Sequence, residues 1–194
     1  MTKISTRSQA YQDYFAKQIC GTNGTYIEIG ANHPKNLSNT YNLECFYNWR
    51  GFSIELDRRF QPKWERMKQR KNNIFWHNAI TFDYLTTALA LNLGTHINYL
   101  SCDIEPPENT FKALKAVLEQ GLTFDCITFE HDLYQSDVNY DEIVTDYLLS
   151  KNYKVAVKDV YFMVPEQPFE TWFVSDKINF KETTFENWKK DLNI

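Results

Sequence analysis

Glycine is scarce in this chain of 194 residues: there are six, where average usage near ~7% predicts roughly fourteen. That scarcity excludes collagen-like and Gly-rich linker sequences, and it leaves no loop in which several glycines cradle a phosphate. The four cysteines, Cys20, Cys45, Cys102 and Cys126, form no CxxC pair, so the spacings of zinc ribbons and dithiol motifs are absent. Cys102 and Cys126 fall in apolar strand-like runs, and buried free thiols in a reducing compartment are expected. No run approaches the ~20 apolar residues of a membrane span, and the first residues, MTKISTRSQAYQDYF, carry no apolar h-region of the kind a secretory signal needs. A soluble cytoplasmic protein is the expectation. An excess of one charge is also missing. The 21 basic and 25 acidic residues leave a formal net charge of −4, which argues against nucleic acid or an anionic membrane as the main partner.

What is present suits a packed core. The chain is 43% hydrophobic, with 12 Tyr, 14 Phe and 5 Trp, most of them at core spacing. Its apolar periodicity switches repeatedly between two and 3.6. Strands are expected at 25–30, 51–56, 73–80, 96–105 and 124–130, with helices at 37–48, 58–70, 84–94, 106–121 and 138–152 between and after them. Two further strands, 153–164 and 169–174, are joined by a connection too short for a crossover helix, so they should pair antiparallel. The basic segment 58–70 reads as an amphipathic helix with a solvated face. No internal repeat or interdomain linker is visible. The expectation is therefore a single α/β domain over 1–194 with a helical lead-in at 1–20. Its fold would be a doubly wound, Rossmann-like layout: a mostly parallel sheet finished by a C-terminal antiparallel hairpin.

Open α/β sheets bind ligands outside the carboxyl ends of their strands. Those ends offer Glu28, Gly30 and Asn32; then Glu55 and Asp57; Asn78 and Ala79; Asp103 and Glu105; and Glu130, His131 and Asp132. The first loop, EIGANHPKN, has one glycine where a dinucleotide fingerprint needs three. A pyrophosphate is poorly served there, and the acids would repel it. S-adenosylmethionine fits better, because it carries adenosine without phosphate, a cationic sulfonium and an amino group. Glu55 is placed to accept hydrogen bonds from its ribose hydroxyls.

At this point the residues resemble a known family. GTYIEIGANHPKNLSNTYNLE (24–44) looks like the first motif of FkbM-type S-adenosylmethionine methyltransferases, D-I-G-A-N-x-G followed by S-N-T. SQAYQDYF (8–15) resembles the family's lead-in, WRGFSIELD (49–57) its second-strand segment, and INYLSCDIE (97–105) its D-(F/Y)-L-S-x-D-x-E segment. FDCITFEHD (124–132) resembles the fifth-strand segment, and FETWFV (169–174) a late aromatic element. Three positions depart from the pattern. Pro34 stands where the second glycine of the first loop is usual, Pro106 where glycine commonly follows D-x-E, and Glu28 replaces Asp.

The resemblance implies a class I methyltransferase fold in which Glu28, Gly30 and Asn32 contact the methionine part of the cofactor. Glu55 would hold the ribose, Asn78 and Ala79 would lie near adenine, and Asp103 would face the cationic groups. The reaction would be O-methylation of a hydroxyl on a sugar, glycan or small molecule. That hydroxyl needs a base, for which His131, with Glu130 and Asp132 as its neighbours, is the candidate, and Glu105 is counted among the catalytic acids. A Mg²⁺ ion held by Asp103, Glu130 and Asp132 is an alternative way to acidify it. Two rival functions are a nucleotide-dependent oxidoreductase on the same fold and a catalytically silent S-adenosylmethionine-binding accessory module.

Overall fold

The computed structural model describes residues 6–194; the first five residues of the expected lead-in lie outside them. The chain runs α1 (Gln12–Cys20), β1 (Thr25–Ile29), α2 (Tyr41–Tyr47), β2 (Arg50–Glu55), α3 (Gln61–Arg66), β3 (Asn73–Trp76), α4 (Tyr84–Ala90), β4 (His96–Cys102), α5 (Pro107–Glu119) and β5 (Thr123–Glu130). It continues with α6 (Tyr140–Leu149), β6 (Tyr153–Tyr161), β7 (Pro168–Ser175), β8 (Thr183–Thr184) and α7 (Phe185–Leu192). Single 3-10 turns at Arg58–Phe60, Ala79–Thr81 and Leu133–Gln135 follow β2, β3 and β5.

The eight strands form one sheet in the order β3-β2-β1-β4-β5-β7-β6-β8. β1 pairs parallel with both β2 and β4, so the strand order reverses beside β1, and this is where an open α/β sheet leaves a crevice. β7 enters antiparallel between β5 and β6, as the short 161–168 connection demands. Side-chain alternation sends each strand into two cores. Ile27, Ile29, Phe52, Leu100 and Phe129 meet α4, α5 and α6 through Ala88, Leu114, Val117 and Leu148. Tyr26, Tyr99, Cys126 and Trp172 meet α1, α2 and α7 through Phe15, Leu43, Phe185 and Trp188 on the other face. The expected α/β architecture is thus present, with its sheet covered on both sides.

Several elements differ in extent. The basic stretch 58–70 is a 3-10 turn and a short helix ending at Arg66, because the backbone leaves helical geometry at Met67. Arg70, expected on a solvated face, is buried at 8% exposure. β3 stops at Trp76 because the Asn78 side chain caps the following turn, accepting from the Ile80 N–H. The helix expected from residue 37 starts at Tyr41; the Ser38 hydroxyl still serves it by accepting from the Tyr41 N–H at 3.2 Å. α7 and the two-residue edge strand β8 were not expected. Among the described residues no helix is long and apolar enough to cross a membrane, and all four cysteines are free.

Candidate active site

The register aligns Ile29 with Ile54 on one side and with Cys102 on the other, so Gly30, Glu55 and Asp103 emerge together. Gly30 has φ +82°, and a Cβ there would lie 1.6 Å from the Asp103 carbonyl oxygen; only glycine fits. The Gly30 and Ala31 N–H groups both donate to the Ile54 carbonyl, at 3.0 and 3.2 Å. Beyond them the loop is closed by side chains. His33 Nδ1 accepts from the Lys35 and Asn36 N–H groups at 3.1 Å each, and burial with the Lys63 charge lowers its pKa. Pro34, which replaces the second glycine of the resembled motif, is buried, and its carbonyl accepts from Arg70 at 3.4 Å.

Glu55 is braced by backbone on both oxygens: Asn32 N–H donates to Oε2 and Asp57 N–H to Oε1, each at 2.7 Å. Asp57 pairs with Arg59 at 2.6 Å, and that hydrogen-bonded partner lowers its pKa. The Tyr84 hydroxyl donates to the Ala79 carbonyl at 2.6 Å, fixing the end of the third strand's loop. These strand ends enclose a cleft of about 420 Å³. Its lining combines apolar Ile54, Leu56, Phe60, Ala79, Ile80 and Ile104 with the carboxylates of Glu55, Asp57, Asp103 and Glu105, and with Gly30, Asn32, His77, Asn78 and Asn109. Among the described residues that line it, none is Lys or Arg.

Of the residues singled out from the sequence, the cleft brings together Gly30, Asn32, Glu55, Asn78, Ala79, Asp103 and Glu105. Glu28 is elsewhere. It is buried, accepts from the Ser53 hydroxyl at 2.6 Å, and lies 3.6 Å from Arg70. Burial raises its pKa, opposed by the Arg70 charge. Glu130 sits behind the lining with its carboxyl against that of Asp103. Burial raises the pKa of both; for Glu130 the Asp103 charge and their shared hydrogen bond add to the rise, so at neutral pH the pair holds a proton. Burial also raises Asp132.

His131 does not join this group. The residue is 1% exposed, with Nδ1 accepting from the Leu133 N–H at 3.2 Å and Nε2 lying 3.4 Å from the Thr171 hydroxyl and 3.8 Å from Asp141 of α6. Burial lowers its pKa, with Asp141 opposing. Among the described residues no group of three or more His, Cys, Asp and Glu is arranged to hold a metal ion, so Asp103, Glu130 and Asp132 make no ligand set for Mg²⁺. The apolar half of the site, Leu56, Phe60, Ile80 and Ile104, was missed from the sequence. Leu56 carried a signal, as a leucine directly after a strand-terminal acid, and it is 68% exposed at the cleft.

The residues present suit S-adenosylmethionine. Apolar groups flank a space for a flat ring, the anchored Glu55 carboxylate suits a diol, and Asp103 and Glu105, which face no Lys or Arg in the lining, suit a cation. No family model matches the chain, and no curated protein matches it in sequence. Solved structures do match in fold. A chain from Clostridium thermocellum described as a candidate rRNA methylase superposes with a TM-score of 0.58 at 13% identity, over 93% of this chain and 100% of that one. The magnesium protoporphyrin IX methyltransferase ChlM of Synechocystis PCC 6803, solved with S-adenosylmethionine bound, gives 0.55 at 10% identity over 84% and 77%. The plantazolicin methyltransferase BpumL, solved with S-adenosylhomocysteine, gives 0.56 at 9% identity over 87% and 83%. At such identities the likeness is one of fold, the Rossmann-like fold of class I methyltransferases.

Proposed function

We propose that this chain is an S-adenosylmethionine-dependent methyltransferase of the FkbM type, transferring methyl to a hydroxyl on a sugar or another small molecule. The observation that carries the reading is the cleft at the β1–β4 switch point: four carboxylates in its lining and no Lys or Arg. A phosphate-bearing dinucleotide would meet repulsion there. A cofactor with a sulfonium and an amino group meets attraction. Glu55, oriented by two backbone donors, accepts from the ribose hydroxyls. Leu56, Phe60, Ala79 and Ile80 bound the adenine, with Asn78 at its edge. Gly30 lets the backbone approach the methionine part, and Asp103 faces the positive charge.

When bound, the cofactor supplies a methyl group made electrophilic by its sulfonium. The chain's own contribution is to bind, to align and to move one proton. A carboxylate of the chain would take the hydroxyl proton as the C–O bond forms and the methyl–sulfur bond breaks, with S-adenosylhomocysteine as the leaving group. Glu105, exposed in the lining, and the Asp103–Glu130 pair are the carboxyl groups within reach of the cleft. Titration calorimetry with S-adenosylhomocysteine and, separately, NAD tests the reading. Saturable binding of S-adenosylhomocysteine and none of NAD is expected. NAD binding alone would replace the reading with an oxidoreductase.

A further inference from the structure

We infer that Arg70 is a positioning residue for the cofactor loop, acting through the indole of Trp64. The inference rests on the cofactor assignment proposed above. A buried guanidinium is unfavourable unless its charge and donors are met, and this one is met from three directions. It pairs with Glu44 of α2 at 2.8 Å. On β1 it donates to the Tyr26 hydroxyl at 2.9 Å and lies 3.6 Å from Glu28. The remaining donors reach the loop itself, at the Pro34 carbonyl (3.4 Å), the Ser38 hydroxyl (3.1 Å) and the Thr40 hydroxyl (2.7 Å). A brace between α2 and β1 alone would need only the first two sets.

The guanidinium also stacks on Trp64, 4.4 Å from the ring centroid. The Trp64 indole N–H donates to the Asn32 carbonyl at 2.8 Å, and the Asn32 N–H donates in turn to Glu55 at 2.7 Å. An unbroken series of contacts therefore runs from the buried ion cluster to a carboxylate in the cleft. The loop needs such an external hold. Asn32 sits at φ +44°, in a left-handed region that asparagine enters more readily than most residues but still at some cost, and the Trp64 N–H on its carbonyl helps to hold it there. Arginine suits this task better than lysine, because a planar fork can stack on an indole and bond several acceptors at once.

Calorimetry on the full chain tests this with two ligands: S-adenosylhomocysteine, and 2′,3′-dideoxyadenosine, which lacks both the diol that Glu55 would hold and the amino-acid part that Gly30 and Asn32 would face. Trp64→Phe keeps the stacked ring and removes the N–H; it should weaken S-adenosylhomocysteine by about fivefold, the effect of one lost hydrogen bond. Arg70→Lys should weaken it by about tenfold or more. Both should leave 2′,3′-dideoxyadenosine within about twofold of the unaltered protein. Circular dichroism establishes that each variant is folded, and if Arg70→Lys is not, Trp64→Phe decides alone. Unchanged S-adenosylhomocysteine affinity, or equal losses for both ligands, overturns the inference and leaves the cofactor assignment standing. An unaltered protein that binds neither ligand removes the assignment and the inference with it.

Discussion

Glu130 and His131 are neighbours in the chain, yet their side chains have different surroundings. Glu130 meets Asp103 beside the cleft, whereas His131 is packed against Thr171 and Asp141 beneath α6. A side chain's face changes with each residue along a strand, so at a strand end one position separates a cleft residue from a core one. For His131→Ala we expect a loss of roughly 1–3 kcal/mol of stability from the unpaired buried groups, read as a lower unfolding midpoint, with S-adenosylhomocysteine affinity unchanged; thermal denaturation and calorimetry check the two halves. Residue chemistry alone made His131 attractive, since an imidazole between acids reads as a tuned base, whereas Glu28 was favoured by its strand-end position and by the resemblance. What the residue types did not carry was the presence of Arg70, 42 positions away from Glu28 by sequence number, as the partner that draws that carboxylate inward. Gly30, Asn32, Glu55, Asn78, Ala79, Asp103 and Glu105 were legible because the ends of parallel strands must converge on one edge of the sheet, whatever their side chains do.

At the scale of elements, the strands were legible and the helix limits less so. Apolar runs such as YLSC and CITF, short and β-branched or aromatic in part, read as strands buried on both faces, and the brevity of the 161–168 connection dictated antiparallel pairing of β6 and β7. Segment 58–70 misled because its basic residues share a helical period until Met67, where the backbone turns away and carries Arg70 inward. α7 went unseen because its anchors, Phe185 and Trp188, make too short an apolar pattern to register, although both are buried against Trp172. The lead-in segment gains its meaning only from a distant element. Gln12 Nε2 donates to Glu170 of β7 at 2.7 Å, Trp172 Nε1 donates to the same carboxyl oxygen at 2.9 Å, and Phe15 packs on Trp172 with ring centroids 4.7 Å apart. Gln12→Ala leaves that buried carboxyl short of a donor; we expect a loss of about 1–3 kcal/mol, read as a lower midpoint in thermal denaturation.

Taken as a whole, the molecule buries an unusual set of carboxyl groups. Asp13, Glu28, Asp103, Glu130 and Glu170 all have pKa values raised chiefly by burial, Glu170 to about 8. A carboxyl whose pKa is higher in the folded state holds its proton more tightly there, so its contribution is complete at low pH and is lost as pH rises through the folded value. The unfolding midpoint should therefore be higher at about pH 6.5 than at about pH 8.5, and Glu170→Gln, which has no proton to lose, should flatten that slope. Below the ordinary histidine value of 6.5, His131 opposes the trend, because burial lowers its pKa and protonation then favours the unfolded chain.

The placement of β7 between β5 and β6 has a consequence for the order in which the protein is made. When Glu130 has left the ribosome, β5 has β4 on one side and an open hydrogen-bonding edge on the other, and the strand that closes it, Pro168–Ser175, has yet to be translated. Glu170 and Trp172, on which Gln12 and Phe15 settle, arrive with that same strand. α1 thus waits for its seat on a strand translated well after it, and a nascent chain stalled before Pro168 presents both an unpaired strand edge and an undocked helix to whatever chaperone meets it.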